Sequence, residues 1–472
     1  MHTSPARSDT RGHRAVAALA LAGVAALGIP FLSEAGAAAD QHSVAAIGAK
    51  RGAPDHNASD EFPVTACGTV TGTGCAPTSD RVDMDRPTFS HPLDITNPLF
   101  PVGDLESVIQ VGTVEGRPFR SETTRLPQTG VVDWYGTKVP VVLSQYVAYL
   151  DGRIEEVALD RYAQADDGSV WYFGEDVIDY QRGGAYFTEG TWLAGRDGPP
   201  AMIMPAHPKL GDVFRVENVL GVVFEELTVV EVDKTVKGPT GPVTGAIVVD
   251  ELGVDGGHSR KTLAPGYGEF LTKNQTELEV MAVATPTNAV PGGAPPALRH
   301  VYTAAWGTWE FARGDSWDSA KLSVDRIATA VNGLARGNQP FRPMRLLQNS
   351  LAMMRAAVGH RDVRATERAA AQVAQSAIDL EAQYLTCQEV ERFRFHLHAM
   401  VLREAAGARR HADVTGELAV LEVLRARLDL PADQAAAMDG ELTALRTAVD
   451  ARHLVSAADV AARLGFLALD QG

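Results

Sequence analysis

Polar and apolar residues alternate along residues 106–283, whereas beyond residue 300 apolar residues recur every three to four positions. The two periods predict two regions of different architecture. In the first, ESVIQVGTVEG, VVLSQYVAYLDGRIEEVALDRYAQ, DDGSVWYFGEDVIDY, GAYFTEGTWLAG, VFRVENV, EELTVVEVDKTV, AIVVDELG and EFLTKNQTELEVMAVAT read as short strands, with Asp-Gly turns at 151–152 and 167–168. Many short strands with almost no helical periodicity predict an antiparallel β sandwich or open barrel.

In the second region, five apolar stripes each fit one helix face. They are Leu346, Leu347, Leu351 and Met354; Ala370, Val373, Ala377, Leu380 and Tyr384; Phe393, Leu397, Met400 and Val401; Val414, Leu418, Leu421, Leu424 and Leu428; and Met438, Leu442, Leu445 and Val449. Ser456 and Asp459 have the spacing of a capping box opening a last helix. Short loops between these helices predict an antiparallel helical bundle.

Punctuation supplies the boundaries. Residues 285–300, TPTNAVPGGAPPALRH, concentrate Pro and Gly and read as a linker between a β domain at 89–284 and a helical domain at 301–472. Residues 40–88 lack periodicity and read as a flexible lead-in. FSHPLDITNPLFP, at 89–101, has prolines that forbid regular structure and apolar residues that ask for burial, so it should lie as a strap on the β domain.

The N-terminus places Arg7, Arg11 and Arg14 before an apolar run at 15–32, followed by small residues at Ala37 and Ala39. That order predicts an export signal at 1–39 cleaved after Ala39. An uncleaved anchor is the alternative, but Gly28 and Pro30 interrupt the run, and no second run of membrane-spanning length follows. The expectation is a secreted or extracytoplasmic protein with no transmembrane anchor after cleavage.

The 472 residues suffice for two or three domains, and 22% charged with 45% apolar residues is the composition of ordinary folded chains. A net charge of −16 argues against nucleic acid as a partner, since like charge repels the phosphate backbone. In an exported chain, Cys67 and Cys75, flanking GTVTGTG, are expected to form a disulfide, and Cys387 to be a buried small hydrophobe.

Candidate chemistry centres on RYAQADDGSVWYFGEDVIDY at 161–180. A two-residue turn at Asp167-Gly168 would set Tyr162 opposite Phe173, Gln164 opposite Trp171, and Asp160 opposite Glu175, with Arg161 on the other face. Aromatic pairing alone explains a hairpin here. The paired carboxylates add the possibility of a shared proton or a bound hard cation. Asp160, Tyr162, Trp171, Phe173 and Glu175 are therefore the candidate ligand-binding residues.

Other motifs carry less. Met202, Met204 and His207 could serve copper, but a strand entering a proline turn explains them. His396 and His398 are two apart on a helix and point to different sides, so they do not form a zinc pair, and His398 reads as a helix-packing or interfacial residue. GYGEF at 266–270 lacks the lysine of a phosphate loop, and no nucleophile elbow, zinc-protease, CxxC or calcium-loop pattern occurs in the exported region.

FSHPLDITNPLFP, DRYAQADDGSVWYFGED, MIMPAHPKLGDVFR and APGYGEF together resemble a bacterial exported β-domain family of unassigned function, whose usual wording is close to NPYFPL, DWYAQDxxGNVWYFGE and PGxG. The resemblance covers about 180 residues of the β domain. The chain departs from it at Arg161, Ala165 and Ser169, where Trp, Asp and Asn are usual. The helical half, in AIDLEAQYLTCQEVERFRF and GELAVLEVLRARL, looks more loosely like regions of secreted actinobacterial proteins. The resemblance implies an exported β domain and supplies no catalytic residue.

Three expectations follow. The first is an exported, non-catalytic protein binding a small molecule, envelope component or protein partner. The second is an extracellular hydrolase with its site in the cleft between domains. The third is a metal-binding envelope protein using bundle carboxylates such as Asp379, Glu381, Glu389 and Glu391, although their spacing does not align them as a site. The sequence names no cofactor.

Overall fold

A computed structural model describes residues 61–103, 106–180, 186–239, 241–273, 277–283 and 290–469. The expected signal, the first part of the lead-in, residue 284 and residues 285–289 of the linker lie outside the described residues.

The β domain consists of two antiparallel meanders. The first runs through β1 (Ser107–Val114), β2 (Arg117–Trp134), β3 (Thr137–Leu150), β4 (Arg153–Gln164), β5 (Val170–Tyr180) and β6 (Tyr186–Phe187). Two short strands, β7 (Trp192–Leu193) and β8 (Ala201–Met204), also pair with β5. The second meander runs through β9 (Val213–Val219), β10 (Val223–Lys237), β11 (Pro242–Gly253), β12 (His258–Ala264), β13 (Gly268–Lys273) and β14 (Glu277–Val283).

β1 hydrogen-bonds β14 and so joins the meanders, while β6 and β9 end the path unpaired with each other. The result is an open sandwich. Val141, Tyr162 and Tyr172 of the first meander share a core with Phe214, Leu227, Val249 and Leu263 of the second. Burying alternate residues of both meanders against each other supplies the apolar stabilisation that the period-two pattern requires.

The strap lies where its composition requires. Pro92 carbonyl accepts from Gln164 N at 2.9 Å, Pro98 carbonyl accepts from Gly266 N at 2.8 Å, and the Phe100 ring packs edge-on against Tyr162 at 4.7 Å. Asn97 Nδ2 donates to the carbonyls of Gly168 and Pro205, tying the strap to the hairpin turn. Cys67 and Cys75 are disulfide-bonded, and Cys387 is free and buried.

Eight helices follow among the described residues: α1 (Pro296–Arg313), α2 (Trp317–Leu334), α3 (Phe341–His360), α4 (Val363–Glu381), α5 (Cys387–Gly407), α6 (His411–Arg427), α7 (Ala432–Asp450) and α8 (Leu454–Leu469). α1 begins inside the stretch expected to be linker, because Pro296 occupies the first helical position, where a missing N–H costs nothing. α8 begins two residues before Ser456, so the expected capping box does not open it. Thr386 and Glu389 form a capping box instead, at the start of α5.

The bundle has two apolar centres. α1 to α4 surround Val301, Trp309, Ile327, Leu347 and Val373. The second centre, from α5 to α8, is continuous with the outer face of the sheet: Val147, Tyr149, Ile154 and Val157 pack with Phe395, Leu402, Leu418 and Leu424. The domains therefore share a core along β3, β4, α5 and α6.

Candidate functional site

The hairpin differs from the expected geometry in two compensating ways. Its loop has three residues, Asp166, Asp167 and Gly168, closed by Ala165 N donating to Ser169 O at 2.8 Å. Tyr162 therefore pairs with Tyr172, not Phe173, and Ala163 rather than Gln164 lies opposite Trp171. Farther along, Phe173 and Gly174 together face the single residue Arg161. This bulge restores the pairing of Asp160 with Glu175. Gly174 holds a φ of +117°, and a Cβ there would lie 2.3 Å from the Trp192 carbonyl oxygen, so only glycine admits β7 at this point.

The bulge also turns Glu175 to the face carrying Asp160, Tyr162 and Tyr172. Trp171 and Phe173 take the opposite face, against Phe62 and against Phe89 and Trp134 respectively. Trp171 Nε1 donates to Ser169 Oγ at 2.8 Å, so that ring is satisfied within its own turn. The five expected binding residues are thus divided between two faces. Arg161, on the far face as expected, pairs with Asp176 at 2.5 Å.

Asp160 and Glu175 are buried, and Tyr172 Oη donates to Asp160 Oδ1 at 2.7 Å. Burial pushes the Asp160 carboxyl up to about 6. Burial, with the Asp160 charge adding to it, pushes Glu175 up to about 8. Glu217 on β9 is raised in the same way, first by burial and then by Glu175, so at neutral pH protons sit on this group of acids. Beyond them Lys261 Nζ lies 2.5 Å from Glu251 and 3.8 Å from Glu225. A cavity of about 60 Å³ beside Asp160 and Tyr162, roofed by Phe100, has room for a few waters.

A second assembly joins the domains. Arg427 at the end of α6 donates from Nε to Gln145 Oε1 and from Nη1 to Glu122 Oε2, each at 2.6 Å, and lies 3.3 Å from Glu391. Arg394 reaches Glu391 at 2.6 Å and Glu122 at 3.4 Å. Arg120 reaches Glu122 at 2.6 Å and Asp379 at 2.8 Å. Burial opposes charge on Glu122, but Arg394, Arg120 and Arg427 together hold its carboxyl well below the usual range. Three guanidiniums and three carboxylates drawn from β2, α4, α5 and α6 thus compensate one another.

Above this assembly lies a cavity of about 470 Å³ between the β3–β4 hairpin and helices α1, α4, α5 and α6. Its size is that of small-molecule sites. His398 Nδ1 lies 2.8 Å from Glu417 Oε2, and the His398 ring stacks on Tyr149 with centroids 5.9 Å apart. Three buried polar atoms of lining residues have no protein hydrogen-bond partner: His398 Nε2, Tyr149 Oη and Trp309 Nε1. Buried polar groups left so are costly unless a ligand or water completes them. On the same wall burial, reinforced by Glu404, pushes Glu367 up to about 7.

His398, expected to be a helix-packing or interfacial residue, meets Glu417, which comes from α6, nineteen residues on, and which no local spacing could indicate. His396 points elsewhere, to Tyr302 Oη at 2.5 Å, and burial lowers it to about 4. The four bundle acids are dispersed: Asp379 and Glu391 meet arginines, Glu381 meets Arg299, and Glu389 caps α5. Among the described residues no group of three or more His, Cys, Asp or Glu is arranged to hold a metal ion. Met202 and Met204 are buried in the sandwich core while His207 is exposed beyond the strand. No helix of the described residues is long and apolar enough to cross a membrane. No protein-family model matches this chain, and no curated protein shows significant similarity to it.

Proposed function

We propose that the chain is an exported, non-catalytic binding protein whose small-molecule ligand occupies the interdomain cavity. The observation that carries this reading is the set of unpartnered buried atoms, His398 Nε2, Tyr149 Oη and Trp309 Nε1, in residues lining a space of ligand size. The aromatic rings offer apolar area, and the polar atoms offer the few directed contacts that fix orientation in such sites. Export is supported by the basic, apolar and small-residue order at the N-terminus and by the disulfide. Kinship of the strap and aromatic hairpin with the exported β-domain family belongs to the same proposal.

Non-denaturing mass spectrometry of protein purified from its native host tests the reading. A bound small molecule is expected, lost in a His398→Ala, Tyr149→Phe double variant that retains the wild-type melting temperature. A ligand kept by that variant, or a bare protein mass, counts against it.

A hydrolytic reading uses the same cavity. Glu417 at Nδ1 leaves His398 Nε2 as the free nitrogen, the arrangement by which a carboxylate orients a general base. Turnover of a chromogenic ester, abolished by His398→Ala and weakened by Glu417→Gln, would favour it over simple binding.

A further inference from the structure

We infer that the ligand of the interdomain cavity is an organic anion with an apolar body, its charged group held by Arg364 and Arg368 at the rim. This rests on the proposed binding role of the cavity and specifies the chemistry it selects.

The lining of the cavity carries charges of both signs. Three of its carboxylates are paired with arginines, Asp151 with Arg117 at 2.8 Å, Asp413 with Arg410 at 2.6 Å, and Glu404 with Arg410, while Glu417 lies 2.8 Å from His398 Nδ1 and Glu155 is half-buried on the β3–β4 hairpin. Glu367 faces Arg313 at 3.9 Å, and burial, reinforced by Glu404, pushes its carboxyl up to about 7, so its charge is only partly present at neutral pH. Two cations are left over. Arg364 and Arg368 line the cavity, are exposed, and meet no carboxylate among the described residues.

Their spacing of four residues on α4 sets both guanidiniums on one helix face, which continues inward through Ala371 and Gln375. Two planar forks side by side match the oxygens of a carboxylate or phosphate. In a chain of net charge −16, unpaired arginines at a cavity mouth are a local reversal of sign that draws anions in. Deeper in, Trp309, Tyr149 and Val401 supply apolar wall, which sets the rest of the ligand as apolar. A simple inorganic ion would leave that wall empty.

Four probes sharing one ring separate the possibilities: phenyl phosphate, benzoate, benzyl alcohol and benzylamine, each titrated calorimetrically in low salt against the full-length protein. Three proteins are compared: wild type, the Arg364→Ser, Arg368→Ser double variant, and Ala371→Trp, which fills the cavity. Gln372→Trp, on the exposed side of the same face, replaces the last if that variant does not fold.

The expected result is that at least one anionic probe binds ten-fold or more tighter than benzyl alcohol and benzylamine. The double serine variant should erase that preference and the tryptophan should abolish binding. Preference for phenyl phosphate over benzoate, or the reverse, assigns the anionic group. Equal binding of the neutral probe, or an unchanged preference in the double serine variant, overturns the anion while leaving the cavity reading intact if tryptophan still blocks. Binding indifferent to the tryptophan overturns both, and failure of all four probes into the millimolar range overturns the anion inference.

Discussion

Tyr149 on the sheet and His398 on α5 stack with ring planes 18° apart, one domain's aromatic ring against the other's imidazole. Neither side chain has its outer polar atom satisfied by protein, and both line the same cavity. The contact that closes the domain interface is therefore also the wall of the candidate site, so changes to docking and to binding should travel together.

Stability should fall as pH rises through neutrality. The folded protein holds the Glu175 carboxyl up to about 8 against an ordinary 4.5, so it binds a proton that the unfolded chain has released. The stabilisation from this group is complete below about 4.5 and lost as pH rises through about 8. Asp160 acts in the same direction between 3.8 and about 6. Glu175→Gln should flatten much of the decline in melting temperature from about pH 5 to about pH 9. An unchanged slope in that variant would assign the dependence to other groups.

Arg427→Met should destabilise by about 3–5 kcal/mol, because it leaves Glu122 and Glu391 buried with less compensation. Arg427→Lys should not restore the loss, since one ammonium cannot span Gln145, Glu122 and Glu391 together. Urea denaturation of the three proteins measures this. Wild-type stability in both variants would mean that the pairs contribute nothing net.

Gly174→Ala should cost about 2–3 kcal/mol through backbone strain and the clash with the Trp192 carbonyl. A neutral substitution would show that β7 can move away from β5 without loss. Gly116→Ala, in the open β1–β2 turn, also has positive φ but no atom near its Cβ. Comparing the two separates strain from crowding.

Replacing Cys67 and Cys75 with serine should lower stability by about 2–3 kcal/mol, the loop-closure value for a bridge across eight positions. The loss should be uncoupled from that of Arg427→Met, since Cys75 packs against Phe224, Leu252 and Val254 and shares none of the Arg427 partners. A double-mutant cycle with near-additive losses is the expected outcome.

The parts of this molecule written in local periodicity were legible. Alternation along 106–283 and the helical stripes beyond 300 depend on neighbours two to four residues apart, and they gave the order of β sandwich and bundle. The hairpin register was legible only by cancellation. A loop one residue longer than assumed shifted Tyr162 to Tyr172, and the bulge at Gly174 returned Glu175 to Asp160. The cavity was not legible at all. Tyr149, Trp309, His398 and Glu417 are brought together by docking of domains, and Glu122 meets Arg427 across 305 positions. Burial of a charge leaves a trace in sequence only when its partner is near.

The six ionised groups at the domain junction divide in a particular way. The sheet contributes Arg120 and Glu122, and the helices contribute Asp379, Glu391, Arg394 and Arg427. Each side is electrically neutral by itself, so assembly needs no net countercharge from the other half. Apolar contacts can bring the halves together at many angles. Only one angle gives every guanidinium its oxygen. The network then acts as an alignment key, fixing how the two halves of the binding cavity are set against each other.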